Sequence, residues 1–543
     1  MFKVKKKWLR RTLRVITVSV ALIVIFVYFF LEGIVISRLE SKLDNSYGKS
    51  YAITYNEINY SVSFTSLSVE LTDVKIKTDT VKAKKNKSPV IDLESKSVGV
   101  SKMSLWSFFV LSEMDVSTIT IDTPHLSIAK NKEFEIDDES KPIEEELDIS
   151  TNIKSIRFDE FKINNGSAVF YKDVKMTDTL FRLNDLDFRA LEFESVKENL
   201  SELLIMDKYS KLSVESKSFN LNLGEDNYTI FVKKFDGELI AGDLQLKDIH
   251  FKPPTDKLRS GKEYRGDVKI NQLNLYGVKH IMDDKINLSA DTAVIIDTHI
   301  DLTKNQALSN QREKVLWMEN LLSLKEELSI NILKFKNCSL ASEIKKLDGD
   351  KNYKLELTKL NGEISNINTK GDSENLKIEL QSNVFKTGEL NMTVTFPYDD
   401  PLVSNFEGTI SNIDLKSFNE LIVKMFSLKI EEGMLSTLSF RGKSYDNVSK
   451  GKLIFEYKDL KGSFIKESNG ERKQALLISK LMNLIIHSSN PRSGETQPEE
   501  VEFAFTKEKH HGQIMLWLGG IIDGTVLTII GKKKHDFLLN RME

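Results

Sequence analysis

Leu376–Phe396 reads LKIELQSNVFKTGELNMTVTF. Leu376, Ile378 and Leu380 alternate with Lys377 and Glu379; after Thr387-Gly388, Leu390, Met392, Val394 and Phe396 alternate with Asn391, Thr393 and Thr395. A period of two places every second side chain on the same face, so each run reads as a strand with one apolar and one solvated face. The glycine between the runs marks a hairpin connection. Working outward, the same period recurs in Leu67, Val69 and Leu71, and resumes after a one-residue phase shift in Val74 and Ile76. It returns in Leu212 and Val214, in Tyr228, Ile230 and Val232, in Leu244 and Leu246, and in Val268 and Ile270. Further Asn-Gly and Asp-Gly pairs at 165–166, 236–237 and 361–362 read as turns. With nine prolines in 543 residues, few strands are broken. The expected class is mainly β, built from antiparallel strands.

Helical spacing is confined to Leu105–Leu111, Arg312–Leu324 and Lys473–Ile486. Loops fall at basic 80–88, acidic 131–148 and polar 488–500. An internal repeat is also legible: Ile156, Phe158, Phe161, Ile163, Asn165 and Ser167 match Leu328, Ile330, Leu333, Phe335, Asn337 and Ser339 at an offset of 172. The same offset pairs Phe181 with Tyr353, Leu183 with Leu355 and Phe188 with Leu360, which predicts a duplicated β-module.

Chemistry-bearing motifs are missing. Lys+Arg 77 against Asp+Glu 80 provides no clustered basic face for nucleic acid. The single cysteine, Cys338, excludes an intramolecular disulfide and a cysteine-built metal site, and reads as a small buried residue. No Walker loop, HExxH or G-x-S-x-G elbow occurs, and the acidic run at 137–148 lacks calcium-loop spacing. His510 and His511 are neighbours and would point to opposite faces of a strand. The expectation is no catalytic residue, no metal and no cofactor.

The ends of the chain are apolar. Lys3, Lys5, Lys6, Lys7, Arg10, Arg11 and Arg14 precede an uncharged run from Val15 to Leu31. About 20 such residues span a bilayer core, and the basic flank orients residues 1–14 to the cytoplasm. The run ends in bulky residues rather than a small-residue cleavage site, so 15–36 reads as an uncleaved anchor, with Val15, Leu22, Phe26 and Phe30 among its lipid-facing residues. Ile514–Ile530 carries one charge, Asp523, and Lys532, Lys533 and Lys534 follow. It admits three readings: a second span, ordinary core, or a membrane-contacting helix–strand element using Trp517, Leu518, Ile521 and Ile522. The alternation of Thr525, Leu527 and Ile529 favours the last, and Gly519, Gly520 and Gly524 suit membrane or packing roles.

In its order of features the chain resembles the AsmA-like family of Gram-negative envelope proteins. The resemblance is carried by the anchor, by YNEINYSVSFTSLSVELTDVKI at 55–76 and by SKMSLWSFFVLSEMDVSTITIDTPHLSI at 101–128. It continues in TGELNMTVTFPYDDP at 387–401, FEGTISNIDLKSFNELI at 406–422, GKLIFEYKDLKGSFI at 451–465 and LISKLMNLIIHSSNP at 477–491. The resemblance implies an N-terminal transmembrane helix followed by a long twisted antiparallel sheet curled into an elongated groove, with a few short helices. It also implies a non-enzymatic role in carrying or shielding phospholipids between inner and outer membranes and in outer-membrane homeostasis. The body would then be periplasmic, tied to the inner membrane by the N-terminal helix, with the C-terminus meeting the outer membrane or an outer-membrane protein. Lining candidates are Leu355, Leu357, Leu376, Ile378, Leu380, Leu390, Met392 and Val394. A series of β-sandwiches would show the same alternation. The alternative function is a scaffold that assists outer-membrane protein assembly by β-augmentation. The expected divisions are a basic tail (1–14), the anchor (15–36), an N-terminal module (37–150), a middle module (151–325), a C-terminal module (326–472) and a C-terminal helix, linker and apolar tail (473–543).

Overall fold

The computed structural model describes most of residues 51–531, leaving out 79–89, 130–154, 172–175, 196–209, 224–227, 254–263, 283–285, 306–313, 346–352, 424–427, 475–485 and a few turn positions. The expected anchor, with Val15, Leu22, Phe26 and Phe30, lies outside the described residues, as do the acidic run at 137–148 and most of Lys473–Ile486. The described chain is mainly β with few helices, and it packs as two compact units. One comprises the residues up to Glu225 together with Lys233–Ile240, the other Asp226–Val232 and the residues from Ala241 onward.

In unit 1, β1 (Tyr51–Thr54) and β2 (Glu57–Val62) lie end to end against β3 (Ser66–Thr78). β4 (Val90–Ser104) pairs with β3, and a π-helical turn at Ser107–Leu111 leads to β5 (Glu113–Asp122). β5 and β6 (His125–Ala129) run end to end along β4, interrupted at Thr123-Pro124, where proline has no N–H for the ladder. β7 (Ser155–Tyr171) pairs parallel to both β5 and β6. β8 (Thr179–Ser195) and β9 (Lys211–Leu223) follow by antiparallel pairing. The core is a rung of opposed residues: Leu67 faces Met103, Val116 faces Phe158, and Phe158 stacks on Phe193 with ring centroids 4.9 Å apart.

β10 (Tyr228–Glu238) is divided between the units. Unit 2 holds β11 (Asp243–Lys252), β12 (Tyr264–Tyr276), β13 (Lys279–Met282) and β14 (Ile286–Asn305). β14 pairs antiparallel with β12 and β13 and parallel with β15 (Glu327–Lys345). Between β14 and β15 lies α1 (Trp317–Leu322), whose Glu319 carboxylate accepts the Leu316 N–H at 3.0 Å. Antiparallel neighbours then succeed one another through β16 (Tyr353–Asn368), β17 (Leu376–Val384), β18 (Gly388–Phe396), β19 (Val403–Asp414), β20 (Leu428–Tyr445) and β21 (Val448–Ser468). β21 pairs with both β22 (Glu471–Gln474) and β23 (Glu500–Thr506), and α2 (Gln513–Ile530) packs across β20, β21 and β23.

Two expectations are corrected. The pairing is mixed rather than wholly antiparallel, because the connections β6–β7 and β14–β15 are long enough to act as crossovers. Asn165-Gly166, Asp236-Gly237 and Asn361-Gly362 lie inside β7, β10 and β16; only Thr387-Gly388 makes its turn. In β7 the reason is a bulge, where asparagine takes the left-handed conformation mid-strand.

The repeat is carried by the backbone. β7 begins at Ser155 and β15 at Glu327, the same offset of 172. The register shifts at Ile163, Gly166 and Ala168 in one match those at Phe335, Cys338 and Leu340 in the other, and β7 has a further shift between Phe170 and Tyr171. Asn165 (φ 50°) and Asn337 (φ 52°) occupy the bulges, and each donates its N–H at 2.8 Å to the next strand, to Asp187 Oδ1 and Asn361 Oδ1 respectively. On the other side, His125 shares a hydrogen bond with Ser167, and His299 Nδ1 lies 2.7 Å from Ser339 Oγ. The strands that follow are offset by 174, not 172. Phe170 faces Phe181 where Ser342 faces Leu355, so Phe181, Leu183 and Phe188 correspond to Leu355, Leu357 and Gly362. A slip of two keeps every side chain on its face, which is why the shorter offset also matched in sequence.

Asn337 also donates to Asp297 Oδ1 at 2.6 Å. Asn337→Ala is expected to cost about 1–2 kcal/mol from strain at positive φ and the lost hydrogen bond. Asn337→Gly, which relieves the strain, should cost less. Faster amide exchange across β14–β16 in the alanine variant than in the glycine variant checks this.

Candidate functional site

The alternation of Leu376–Phe396 builds one apolar face in unit 2. Across β16, β17, β18 and β19, Ile364, Ile378, Val394 and Phe406 stand directly opposite one another. The neighbouring rung runs Gly362, Leu380, Met392, Gly408, Phe440, Leu453 and Val501. Four cross-strand glycines lie beneath four phenylalanine rings: Gly362 opposite Phe335, Gly408 opposite Phe440, Gly442 opposite Phe406 and Gly451 opposite Phe503. A Cβ at any of them would fall 2.5–2.7 Å from a ring carbon, so the rings fold over bare backbone. Single glycines inside alternating runs were the signal for these pairs.

Six of the eight predicted lining residues join one cluster: Leu357, Leu376, Ile378, Leu390, Met392 and Val394. Leu380 shares the face through its partner Met392, and Leu355 stands opposite Ser342. Their depth differs. Leu376 and Val394 are buried, at 6% and 1% exposed, whereas the other six are half-buried. Cover explains the difference. At one end Leu316 and Met318 pack into the cluster, and the Trp317 ring lies 6.4 Å from Phe396 and 5.3 Å from Trp517. At the other end Phe418, on a 3₁₀ turn (Leu415–Phe418), meets Phe385 at 4.4 Å. Along β17 and β18, Ile378, Leu380, Leu390 and Met392 lie between these covered ends.

α2 supplies the remaining cover. It is one continuous helix; the alternating Thr525, Leu527 and Ile529 belong to it rather than to a strand. Gly519 lies on the Phe505 ring, Gly520 on Phe503 and Gly524 on Leu453, so these glycines serve packing. Gln513 Nε2 donates to Ser404 Oγ at 3.3 Å and Ser444 Oγ at 3.4 Å, and Trp517 Nε1 donates to Ser404 Oγ at 3.0 Å. This polar contact is buried and fixes the helix in register. Of the four residues expected to meet a membrane, Trp517 and Ile521 face the sheet and are buried, while Leu518 and Ile522 face outward. Ile514 and Val526 complete that outward ridge at a spacing of four, so the exposed side of the helix is as apolar as its buried side. Among the described residues it is the one helix long and apolar enough to cross a membrane.

Among the described residues no group of acidic, histidine or cysteine side chains could hold a metal ion. His299 bridges Ser339 at 2.7 Å and Asp301 Oδ2 at 3.0 Å. The equivalent pair, His125 and Ser167, has Ser127 in place of the aspartate. What the two modules share is the histidine–serine bridge between parallel strands. Cys338 is buried, as expected. No family model matches the chain, and no curated protein matches it.

Proposed function

We propose that the chain is a non-enzymatic, AsmA-like envelope protein that carries or shields phospholipid acyl chains along an apolar β-face, drawn into an elongated groove, between the inner and outer membranes. In this reading residues 15–36 anchor it in the inner membrane, the body is periplasmic, and the outward ridge Ile514, Leu518, Ile522 and Val526 meets the outer membrane or a protein in it. The observation that supports the reading is the half-buried stretch Ile378, Leu380, Leu390 and Met392 on a continuous apolar face. An acyl chain laid there would gain about 0.8 kcal/mol per buried methylene, with no reacting group required.

A photo-reactive amino acid at Ile378 is expected to capture phospholipid in cells, and at Val394, which is core, to capture none. Ile378→Asp should abolish lipid capture from a neighbouring probe at Met392 while the chain stays folded. Absence of lipid adducts from 378, 390 and 392 alike would refute the conduit.

A further inference from the structure

Two segments at one end of unit 1 carry no charge in a chain that is 29% charged, and Lys102 and Glu113 flank one of them. Neither Ile58–Val69 (INYSVSFTSLSV) nor Met103–Ser112 (MSLWSFFVLS) contains Asp, Glu, Lys or Arg. The fold brings these two segments together. Val62 stands opposite Leu67, Leu67 opposite Met103, and the Leu105 N–H donates to Thr65 O at 3.0 Å. From this end Trp106 projects at 67% exposed, with Val110 at 55% and Leu111 at 41%. Leu105 and Phe108 pack behind them on buried Leu67, Met103 and Val116.

The backbone there is bonded within itself. Ser107–Leu111 forms a π-helical turn, and the Ser107 N–H donates to Ser104 Oγ at 3.2 Å. In the adjoining turn the Ser63 N–H donates to Ser66 O at 2.8 Å and the Ser66 N–H to Ser63 Oγ at 3.1 Å. A tip with an exposed tryptophan, no ionised side chain within its two segments and turns closed by serine suits a lipid interface, with Lys102 and Glu113 placed behind it at headgroup level. A protein partner would more commonly be met by a polar rim around the apolar centre. We propose that this tip inserts at the headgroup–acyl boundary of a lipid bilayer, with Trp106, Val110 and Leu111 leading.

Chain length allows that bilayer to be the one entered by the proposed anchor, and only this choice of bilayer rests on the anchor. β1 starts at Tyr51 opposite Thr78, at the far end of β3 from the tip, about 40 Å away at 3.3 Å per residue. Residues 37–50, fully extended, reach about 46 Å, enough to return from the tip to β1.

The test uses the full chain with Cys338→Ala, reconstituted in phosphatidylethanolamine–phosphatidylglycerol vesicles that contain spin-labelled lipid. An environment-sensitive fluorophore is placed on Val110→Cys or, as control, on Lys77→Cys at the far end of β3. The label at 110 is expected to be quenched at least threefold more than the label at 77, and Trp106→Asp combined with Leu111→Asp should remove the difference. Equal quenching at 110 and 77 in a chain that floats with the vesicles overturns the tip alone. A blue-shifted but unquenched label at 110 means that protein covers the tip, and also overturns it. A chain that does not float overturns both tip and anchor.

Discussion

Replacing Gly520 by leucine is expected to lift α2 off its sheet. A Cβ at this position would lie 2.6 Å from the Phe503 ring and 3.0 Å from Ser449 Oγ, and Phe503 is itself buried with its ring over Gly451. Phe503 cannot give way without uncovering Gly451, so the strain falls on the helix. Overpacking of this kind costs about 1–3 kcal/mol, and a leucine side chain at such a contact belongs at or above the top of that range. The expected result is rapid proteolysis within 513–530 and loss of the thermal transition of unit 2, with unit 1 unchanged. Gly524→Leu, whose Cβ would sit 2.4 Å from Leu453, should behave alike, whereas Leu518→Ala on the outward ridge should leave the docking intact.

Trp517→Ala removes the largest side chain in the same contact. Its indole lies 5.3 Å from Trp317, 6.1 Å from Phe396 and 6.2 Å from Phe406 between ring centroids, and its N–H is bonded to Ser404. Truncating a buried aromatic costs about 3–5 kcal/mol, and here it would strip the cover from Phe396 and Phe406 together. Trp517→Phe separates the two contributions: the ring contacts largely persist and the loss should be about 1 kcal/mol, the value of one hydrogen bond. Denaturant midpoints of the two variants check the order. Combined with Gly520→Leu, Trp517→Ala should add little, because both act on one docking event.

Much of this was legible in the sequence, for a physical reason. Strands with one solvated face must alternate, so β17 and β18 could be read residue by residue, and so could the shared face of Ile378, Leu390 and Met392. Pairing direction could not be read, since the alternation within β5, β7, β14 and β15 is the same whether the neighbouring strand runs parallel or antiparallel. Asn165-Gly166 misled because a bulge and a hairpin turn call on the same residue for the same backbone angle. α2 hid its orientation for another reason. A helix apolar all round has no polar stripe to mark its outside, so Trp517 and Ile521 could not be told from Leu518 and Ile522 by spacing. The signal that does separate them is Gly519, Gly520 and Gly524, small residues gathered on the side that approaches the sheet.

The matched bulges of β7 and β15 bear on how such a chain can change its size. A module that carries its own parallel entry strand, its own asparagine pivot and its own histidine–serine clasp contains the information needed to attach the next one. Copying it whole keeps every register intact, whereas copying part of it would leave a strand out of step. Extent would therefore be inherited in whole units rather than adjusted residue by residue. With strands about 4.8 Å apart, each added unit would widen a sheet by roughly a few tens of ångströms. On the proposed role, the gap such a protein bridges would be counted out in modules, like the divisions of a ruler.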